Sequence, residues 1–502
     1  MNVRIGSALA ALFLAAGCGG GTAVVPSGSL AGPEARAGGI SAGQFSGVQI
    51  APVVPGYLRG DAAGLQLWGA TPRQLIVRAL DSAGKPVTGA AAPAISIVTK
   101  TPSRLSVAAG KASGRFTLTA VTAADTSSAC AACLVVQPGV AKLAITLTPK
   151  TGKPQHISVT VTVAHKIVAV SLNPNPNPNI GGIDAVMQYY DDNVKPSVIW
   201  DDIILHNSSS FPNVTGLAFG ADGSFYIANS GLLGYPGGVT EYAAGSSDPT
   251  PLHAFATANV LSPAGIALDA KGNLYVADNG FETVTRFSKT GSAVTISPTW
   301  EAGADVTGVA VDATRGELDV AMTGVGTYSP PSAVNVGRVV VLPLNFKAST
   351  TALRQIDSTA KNGLNEPYGV AVDTLGQLFV VNDYVSIVQG PPGPGPEFST
   401  LTRYGGGIVS SSTRPDASAS KRLIWPLAVA TDVAGTVYVA DSTPPTNGGR
   451  PGKLYLLQYD GAFKSGAKAE SQIDLSAGMP AAYLPYLLNV ESVAVDPSPL
   501  RK

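Results

Sequence analysis

Short stretches of alternating apolar and polar residues run through the first third of the chain. Clear examples are QLIVRAL at 74–80, RFTLTAV at 115–121 and HISVTVTV at 156–163. Successive side chains of a β-strand point to opposite faces of its sheet, so a period of two predicts strands with one buried face. Closely spaced strands of this kind, separated by turns, are typical of two packed sheets. The pattern therefore predicts a β-sandwich over residues 48–172.

A different pattern repeats through residues 181–502, at intervals of about 45 to 65 residues. Its fullest copies are VTGLAFGADGSFYIAN at 214–229 and PAGIALDAKGNLYVAD at 263–278, and shorter copies begin at 306, 367, 426 and 490. A copy combines a short apolar strand, a turn that suits a hairpin and a second alternating strand. Sequence typical of two more strands follows. Four strands per repeat predict the blades of a β-propeller.

The two ends of the repeat region predict the number of blades. The last copy, 490–496, supplies only a first strand before the chain stops. Residues 184–200 are typical of an outer strand pair that lacks a first strand. Joining the two completes one blade and removes the exposed strand edges of an open ring. We therefore expect six blades, of which one is completed by both ends of the region.

The repeat also resembles a known family. Its consensus, P-x-G-[IV]-A-[LV]-D followed by G-x-L-[YF]-V-A-D, resembles the NHL repeat over residues 181–502. The sequence DSAGKPV at 81–87 resembles a turn common in bacterial Ig-like domains, which mostly serve as spacers or adhesive stalks. These resemblances imply an all-β chain, with an N-terminal Ig-like β-sandwich followed by a six-bladed NHL-type β-propeller.

The N-terminal residues are typical of an export signal. Residues 1–17 contain an apolar stretch at 8–14 that is too short to span a bilayer. The sequence AAGC, which ends at Cys18, resembles the lipobox of bacterial lipoproteins, although Ala15 stands where that family usually has Leu. The resemblance implies an acylated Cys18 and a lipid anchor in the cell envelope. Gly19 in place of Asp implies the outer membrane. A plain secreted protein is the alternative.

Two segments of biased composition are expected to connect these parts. Residues 18–47 are mostly Gly, Ala, Ser and Pro without a sustained period, which predicts a flexible tether. The alternating Asn and Pro residues at 173–180 disfavour helix and predict a short, semi-rigid linker.

Besides Cys18, the chain has two cysteines, Cys130 and Cys133. An exported chain meets an oxidising compartment, which favours a local disulfide between them. A redox-active C-x-x-C normally opens a helix in a thioredoxin-like pattern, which does not surround this pair. A zinc site needs two more ligands, and the four histidines are scattered. We therefore predict a Cys130–Cys133 disulfide, with redox and metal roles as alternatives.

Charge narrows the possible partners. The chain has 33 Lys and Arg against 33 Asp and Glu, and only 13% of its residues are charged. Nucleic-acid binding needs a basic surface, so this class of partner is excluded. The 45% of hydrophobic residues is enough to fill sizeable cores.

The polar residues that recur in the repeat are the candidates for a structural or ligand-binding role. One set follows the first strand of a copy and is expected to close its hairpin: Asp269, Asp312, Asp373, Asp432 and Asp496. A second set ends the second strand, where turn capping and ligand contact are both open: Asn229, Asp278, Asp383 and Asp441. Long connections on the face opposite the hairpins carry residue types common at interfaces: Tyr235, Tyr328, Tyr384 and Arg450. The last two sets form the candidate binding face.

Six-bladed propellers include enzymes, among them gluconolactonase-like relatives that hold a divalent metal over the central channel. No departure from the repeat selects a metal set here, and no nucleophile elbow, phosphate loop or HExxH motif occurs. We therefore predict no catalytic residue, no metal site and no cofactor. The expected function is noncatalytic binding of an unknown protein or carbohydrate by a monomer. The alternative is a metal-dependent, lactonase-like hydrolase or lyase.

Overall fold

The structure is a computed structural model. The residues that it describes are 23–26, 45–52, 58–61, 64–70, 72–124, 133–174, 185–191, 193, 198–201, 213–230, 237–243, 251–255, 258, 260–296, 305–323, 337–359, 362–382, 399–420, 423–433, 435–443, 453–478 and 487–496. Within these ranges the secondary structure is almost entirely β, with two short 3-10 helices at Gly89–Ala91 and Leu475–Gly478. No helix in the described ranges is long and apolar enough to cross a membrane.

Among the described residues, the N-terminal domain contains two five-stranded sheets. The first contains, in spatial order, β1 (Ala23–Pro26), β2 (Gly47–Pro52), β5 (Arg73–Leu80), β8 (Arg115–Ala120) and β7 (Leu105–Ala109). The second contains β3 (Leu58–Asp61), β4 (Gly64–Trp68), β12 (Gln155–Ala164), β11 (Gly139–Thr148) and β6 (Ala94–Thr99). Two further strands pair with each other, β9 (Thr122–Ala124) and β10 (Leu134–Val136).

The inward side chains of the two large sheets share one hydrophobic core. In β11, Leu143, Ile145 and Leu147 are buried, while the side chains between them are exposed or half-buried. Val159 and Val161 of the neighbouring β12 are fully buried in the same way. The period of two in the sequence thus arises because each strand has one face in the core and one towards solvent.

A short strand lies within the segment that the sequence predicts to be a flexible tether. Residues 23–26 pair antiparallel with residues 47–50 of β2. β1 occupies the edge of β2, whose backbone N–H and C=O groups would otherwise lack strand partners. The expectation for 18–47 therefore differs from the structure at these four residues.

In the part of the chain that the structure describes, six four-stranded sheets follow, and each is one blade of a β-propeller. Blade 1 is β16 (Asn213–Phe219), β17 (Phe225–Ser230), β18 (Gly238–Tyr242) and β19 (Pro251–Ala254). Blade 2 is β20 (Pro263–Leu268), β21 (Leu274–Asp278), β22 (Thr283–Phe287) and β23 (Ala293–Ile296). Blade 3 is β24 (Asp305–Asp312), β25 (Glu317–Thr323), β26 (Gly337–Pro343) and β27 (Arg354–Asp357). Blade 4 is β28 (Pro367–Val372), β29 (Leu378–Asn382), β30 (Thr400–Tyr404) and β31 (Ala417–Ala419). Blade 5 is β32 (Trp425–Thr431), β33 (Thr436–Ser442), β34 (Leu454–Asp460) and β35 (Ser471–Asp474). Blade 6 is β36 (Leu487–Val495), β13 (Ile167–Pro174), β14 (Ala185–Tyr190) and β15 (Val198–Asp201).

The first strands of the blades contact one another in the order β16, β20, β24, β28, β32 and β36, and β36 also contacts β16. Glycines permit this close approach. A Cβ atom at Gly265 would lie 3.0 Å from the Cα of Gly308, and one at Gly369 would lie 3.1 Å from the Cα of Ala428. The repeat therefore needs a small residue where neighbouring inner strands meet, and Ser492 of blade 6 also meets this need.

Blade 6 combines both ends of the repeat region. The last strand, β36, pairs antiparallel with β13, with Ser492 opposite Ser171. The Ser492 hydroxyl accepts a hydrogen bond from the Leu217 N–H of blade 1 at 3.0 Å. The Val490 N–H donates to the Ser442 hydroxyl of blade 5 at 3.0 Å. β36 is therefore bonded to its own blade and to both neighbouring blades.

The strand β13 differs from its sequence-based assignment. The predicted end of the sandwich at residue 172 and the predicted start of the linker at 173 both fall inside it. The apolar run of β13 is like that of a sandwich strand, and its partner β36 lies near the other end of the chain. A local pattern does not identify so distant a partner. Residues 175–180 of the predicted linker lie outside the described residues.

Candidate functional site on the loop face

The two faces of the propeller are defined by the direction of the inner strands. Each runs from an interblade connection to a tight hairpin, as β20 runs from Pro263 to the turn that begins at Asp269. The hairpins at 269–273, 312–316, 373–377 and 432–436 thus share one face, called here the hairpin face. The interblade connections and the connections between second and third strands share the other, called here the loop face.

In blades 2 to 5 the first set of aspartates closes the hairpins, whereas Asp496 ends β36, which pairs with the earlier strand β13 and leads into no hairpin in the described residues. One Asp269 carboxylate oxygen accepts the backbone N–H groups of Lys271 and Asn273, each at 2.9 Å. In the same way, Asp373 accepts the N–H groups of Leu375 at 2.9 Å and Gln377 at 2.8 Å. A carboxylate that accepts two backbone bonds holds a tight turn in place. This arrangement agrees with the hairpin closure expected from the sequence in blades 2 to 5. The same expectation for Asp496 was wrong, because its strand pairs with one from the other end of the repeat region.

The described aspartates of the second set are buried at the loop face. Asp278 accepts backbone N–H bonds from Leu261, from Ser262 at 3.2 Å and from Phe281 at 2.9 Å. Leu261 and Ser262 belong to the connection that leads into β20. Asp278 therefore fixes the interblade connection of its own blade.

Blade 5 repeats this arrangement. One Asp441 oxygen accepts the N–H groups of Ile424 at 3.0 Å and Trp425 at 2.8 Å, and the Asp441 side chain is fully buried. Of the two alternatives left open for this set, capping describes the geometry of Asp278 and Asp441. Both Asp278 oxygens and one Asp441 oxygen bind the backbone, and both side chains are fully buried.

In blade 4 the equivalent residue is Asn382, one position before the predicted Asp383. Pro367 pairs with Asn382 as Pro263 pairs with Asp278. The Asn382 carbonyl oxygen accepts the Asn365 N–H at 3.0 Å, which is the same capping role. The error arose because two polar residues are adjacent at the end of this strand, and only the pairing register distinguishes them.

Asn229 occupies this position in blade 1, opposite Val214, and it is half-buried. The remaining predicted residues of the binding face lie outside the described residues: Tyr235, Tyr328, Asp383, Tyr384 and Arg450. Cys18 and Cys130 also lie outside them, whereas Cys133 is buried and disulfide-bonded.

The capped segments present large apolar side chains to solvent. Leu261 and Ile424 are each 41% exposed, and Phe281 is 46% exposed. Their backbone N–H groups are the ones that Asp278 and Asp441 bind. Sequence reasoning missed these residues, although a signal exists: Leu261 and Ile424 each stand two positions before the proline of the repeat. The buried carboxylates thus hold exposed apolar groups in fixed positions on the loop face.

A charged cluster lies on the hairpin face between blades 3 and 4. Asp319 stands opposite Ala310, where blades 1, 2, 4 and 5 place an aromatic residue, as Tyr275 stands opposite Ala267. Burial, and after it the nearby Asp312 carboxylate, together raise the pKa of Asp319 to about 7.

Two arginines surround this carboxyl group. Arg354 makes a bidentate pair with Glu317 at 2.9 and 2.6 Å. Arg315 binds Asp312 and donates to the carbonyls of Gly376 and Gly407 in blade 4, at 3.1 and 3.0 Å. The donors of Arg315 are thus directed at the backbone of the neighbouring blade, and this cluster connects two blades.

Among the residues described, no three or more His, Cys, Asp or Glu side chains are placed to hold a metal ion together. The carboxylates of the repeat accept hydrogen bonds from hairpin and connection backbone, as the pairs above show. The chemistry that the described loop face offers is therefore apolar contact on a rigid backbone.

Comparison with known proteins gives only distant structural similarity. No family model matches the chain, and no curated protein matches it. A Bacteroides caccae protein of unknown function is 12% identical, with a TM-score of 0.42 over 66% of this chain and 98% of its own. A Bacteroides thetaiotaomicron protein of unknown function is 11% identical, with a TM-score of 0.38 over 86% of this chain and 90% of its own. A gluconolactonase from Xanthomonas campestris is 14% identical, with a TM-score of 0.34 over 64% of this chain and 94% of its own. The class defined by the chain's own sheets is that of a β-propeller protein with a two-sheet N-terminal domain.

Proposed function

We propose that the chain is an exported, lipid-anchored binding protein that uses the loop face of its propeller to hold a protein or carbohydrate ligand without catalysis. In this proposal the N-terminal domain is an Ig-like spacer, and the propeller is of the NHL type. Acylated Cys18 holds the protein in the outer membrane.

One observation carries the binding role: Leu261, Phe281 and Ile424 are exposed on backbone that buried carboxylates hold in place. Exposed apolar side chains on a pre-organised backbone lose little conformational entropy when a partner covers them. Large aliphatic and aromatic side chains favour a protein ligand in particular.

The bonding of the carboxylates supports binding over a lactonase-like reaction. A divalent metal needs carboxylate oxygens that are free to coordinate it. Both oxygens of Asp278 and one oxygen of Asp441 accept backbone N–H groups instead, and both side chains are fully buried. Calorimetry of chelator-treated protein with Ca²⁺ and with Zn²⁺ checks this point, and stoichiometric tight binding would favour the metal-dependent alternative.

Site-specific photo-crosslinking in the intact cell envelope tests the binding face. A photoreactive phenylalanine analogue replaces Phe281, and the matched control replaces Lys271, which is exposed on the hairpin face of the same blade. We expect a discrete adduct from position 281 that weakens when Leu261→Asp and Ile424→Asp are added. Adducts from position 271 alone would place the ligand elsewhere. An adduct from position 281 whose yield is unchanged by both substitutions would do the same.

The anchor has a separate test. Cys18→Ala removes the thiol that would be acylated, so the variant should move from the membrane fraction to the soluble fraction. Detergent-phase partitioning measures this directly. A Cys18→Ala variant that still partitions into detergent would show that lipid on this residue does not hold the protein.

A further inference from the structure

The connection between the N-terminal domain and the propeller is only two residues long. β12 ends at Ala164 and β13 begins at Ile167, so His165 and Lys166 alone join them. Ile167 pairs with Tyr190 at one end of blade 6, and Asp496, the last described residue of blade 6, donates its N–H to the Ile167 carbonyl. Asp496 occupies the position in its repeat copy that the hairpin aspartates occupy in blades 2 to 5, so this connection lies on the hairpin face.

Asp191 organises the joint. It follows β14 with a φ of 55°, a conformation that costs energy for a residue other than glycine, and its side chain is buried. One carboxylate oxygen accepts the Lys166 N–H at 2.8 Å. The other accepts the Val136 N–H of β10 at 2.9 Å and lies 2.9 Å from Nδ1 of His165. A single propeller carboxylate therefore binds both the connection and a strand of the N-terminal domain.

Two further contacts fix the same joint. The Asn193 side-chain amide donates to the Leu134 carbonyl at 2.9 Å, so the segment after β14 holds β10 at two points. The Lys166 ammonium lies 3.4 Å from the Asp432 carboxylate of blade 5 and 5.1 Å from the centre of the Tyr438 ring. The Lys166 side chain is only 8% exposed. The connection thus reaches into the propeller between blades 5 and 6.

We infer that the N-terminal domain and the propeller form one rigid arm, fastened by Asp191 at the hairpin face of blades 5 and 6. Separation of the two domains would leave the buried Asp191 carboxylate and the buried Lys166 ammonium without their partners. The free-energy cost of such unpaired buried charges is several times the free energy of a surface ion pair. The arm holds the loop face on the side of the propeller opposite the N-terminal domain. This inference does not depend on the lipid anchor or on any ligand.

Distance measurement between two spin labels in the full chain tests the joint. Ser158→Cys in β12 and Lys271→Cys in blade 2 place labels at exposed positions on the two domains, in a Cys18→Ala background. We expect one narrow distance distribution for the otherwise unaltered chain. Asp191→Ala should broaden it, because the carboxylate bonds to Val136 and Lys166 are lost.

Asp222→Ala is the matched control. Asp222 is an exposed hairpin-face aspartate of blade 1 that bonds to Ser224, and its loss should leave the distribution narrow. Asn193→Ala removes the amide bond to Leu134 and a local bond to the Tyr190 carbonyl, but leaves the Asp191 bonds in place, so it should broaden the distribution less than Asp191→Ala does. If Asp191→Ala does not fold, the width of the distance distribution in Asn193→Ala tests the joint in its place. A broad distribution in the unaltered chain, or a narrow one in every folded Asp191 and Asn193 variant, would overturn the inference.

Discussion

At the scale of single residues, one buried carboxyl group, that of Asp319, stands at a repeat position that is aromatic in blade 2. The single proton of the Tyr275 hydroxyl is shared between two acceptors, the Asp269 carboxylate at 3.1 Å and the Leu344 carbonyl at 2.9 Å. Blade 3 has Asp319 at the equivalent position, near a second carboxylate, Asp312. Two buried carboxylates disfavour each other's charged form, so this blade is sensitive to pH.

Asp319 should make the propeller less stable as pH rises. Its folded-state pKa of about 7 exceeds its ordinary value of 3.8, so the folded state holds the proton more tightly than the unfolded chain. Stability is fully present below the unfolded pKa and is lost as pH rises through the folded pKa, by about 4 kcal/mol between pH 4 and pH 8. Asp319→Asn should remove most of this dependence. Urea unfolding of both proteins across this range measures it.

Asp222→Asn provides the control for that titration. The hydrogen bond from Ser224 and the nearby Lys289 lower the pKa of Asp222, so its contribution has the opposite sign and is lost as pH falls. Superimposable pH profiles for the wild-type chain and Asp319→Asn would contradict the role given to Asp319.

At the scale of the element, the inner strand combines what the repeat consensus encodes. Its glycine permits contact with the next inner strand, and its final aspartate closes the hairpin. At Gly369, a Cβ atom would lie 2.9 Å from both the Leu427 carbonyl and the Val381 side chain. Backbone cannot move aside as a flexible side chain does, so this contact tolerates no added atom.

Gly369→Ala should therefore destabilise the propeller, by about 1 to 3 kcal/mol. Gly407→Ala is the matched control in the same blade, because a Cβ atom there meets nothing within 4 Å. Thermal unfolding of the two variants compares them. Equal melting temperatures would mean that the inner strands are not packed as closely as described.

The sequence predicted elements well where the signal is local and repeated. Pro263–Leu268, the Asp269 hairpin and Leu274–Asp278 all follow from one consensus. The sequence-based assignment was wrong where a strand pairs with a distant part of the chain. This is the case for β13, whose partner is β36. The sequence also did not reveal Asp191, because the residues that this side chain bonds, Val136 and Lys166, are brought to it only by the tertiary fold.

At the scale of the whole molecule, the two faces of the propeller have different tasks. The hairpin face carries the joint to the N-terminal domain at Asp191 and Lys166. The loop face carries exposed apolar groups on capped connections. Both tasks need a ring whose blades keep their relative positions, and β36 provides this by bonding to blades 1, 5 and 6. Completion of the ring by the C-terminal strand is therefore the central claim.

Calorimetric unfolding of a chain that lacks residues 489–502 tests this claim most directly. The deletion removes most of β36, leaves β13 as an open edge and splits the shared core that contains Val490 and Val493. Deletion of residues 497–502 is the control, because it leaves β36 complete. We predict that the longer deletion abolishes the cooperative propeller transition, while the shorter one preserves it. A propeller that lacks residues 489–502 and still melts like the intact protein would contradict ring completion by the last strand.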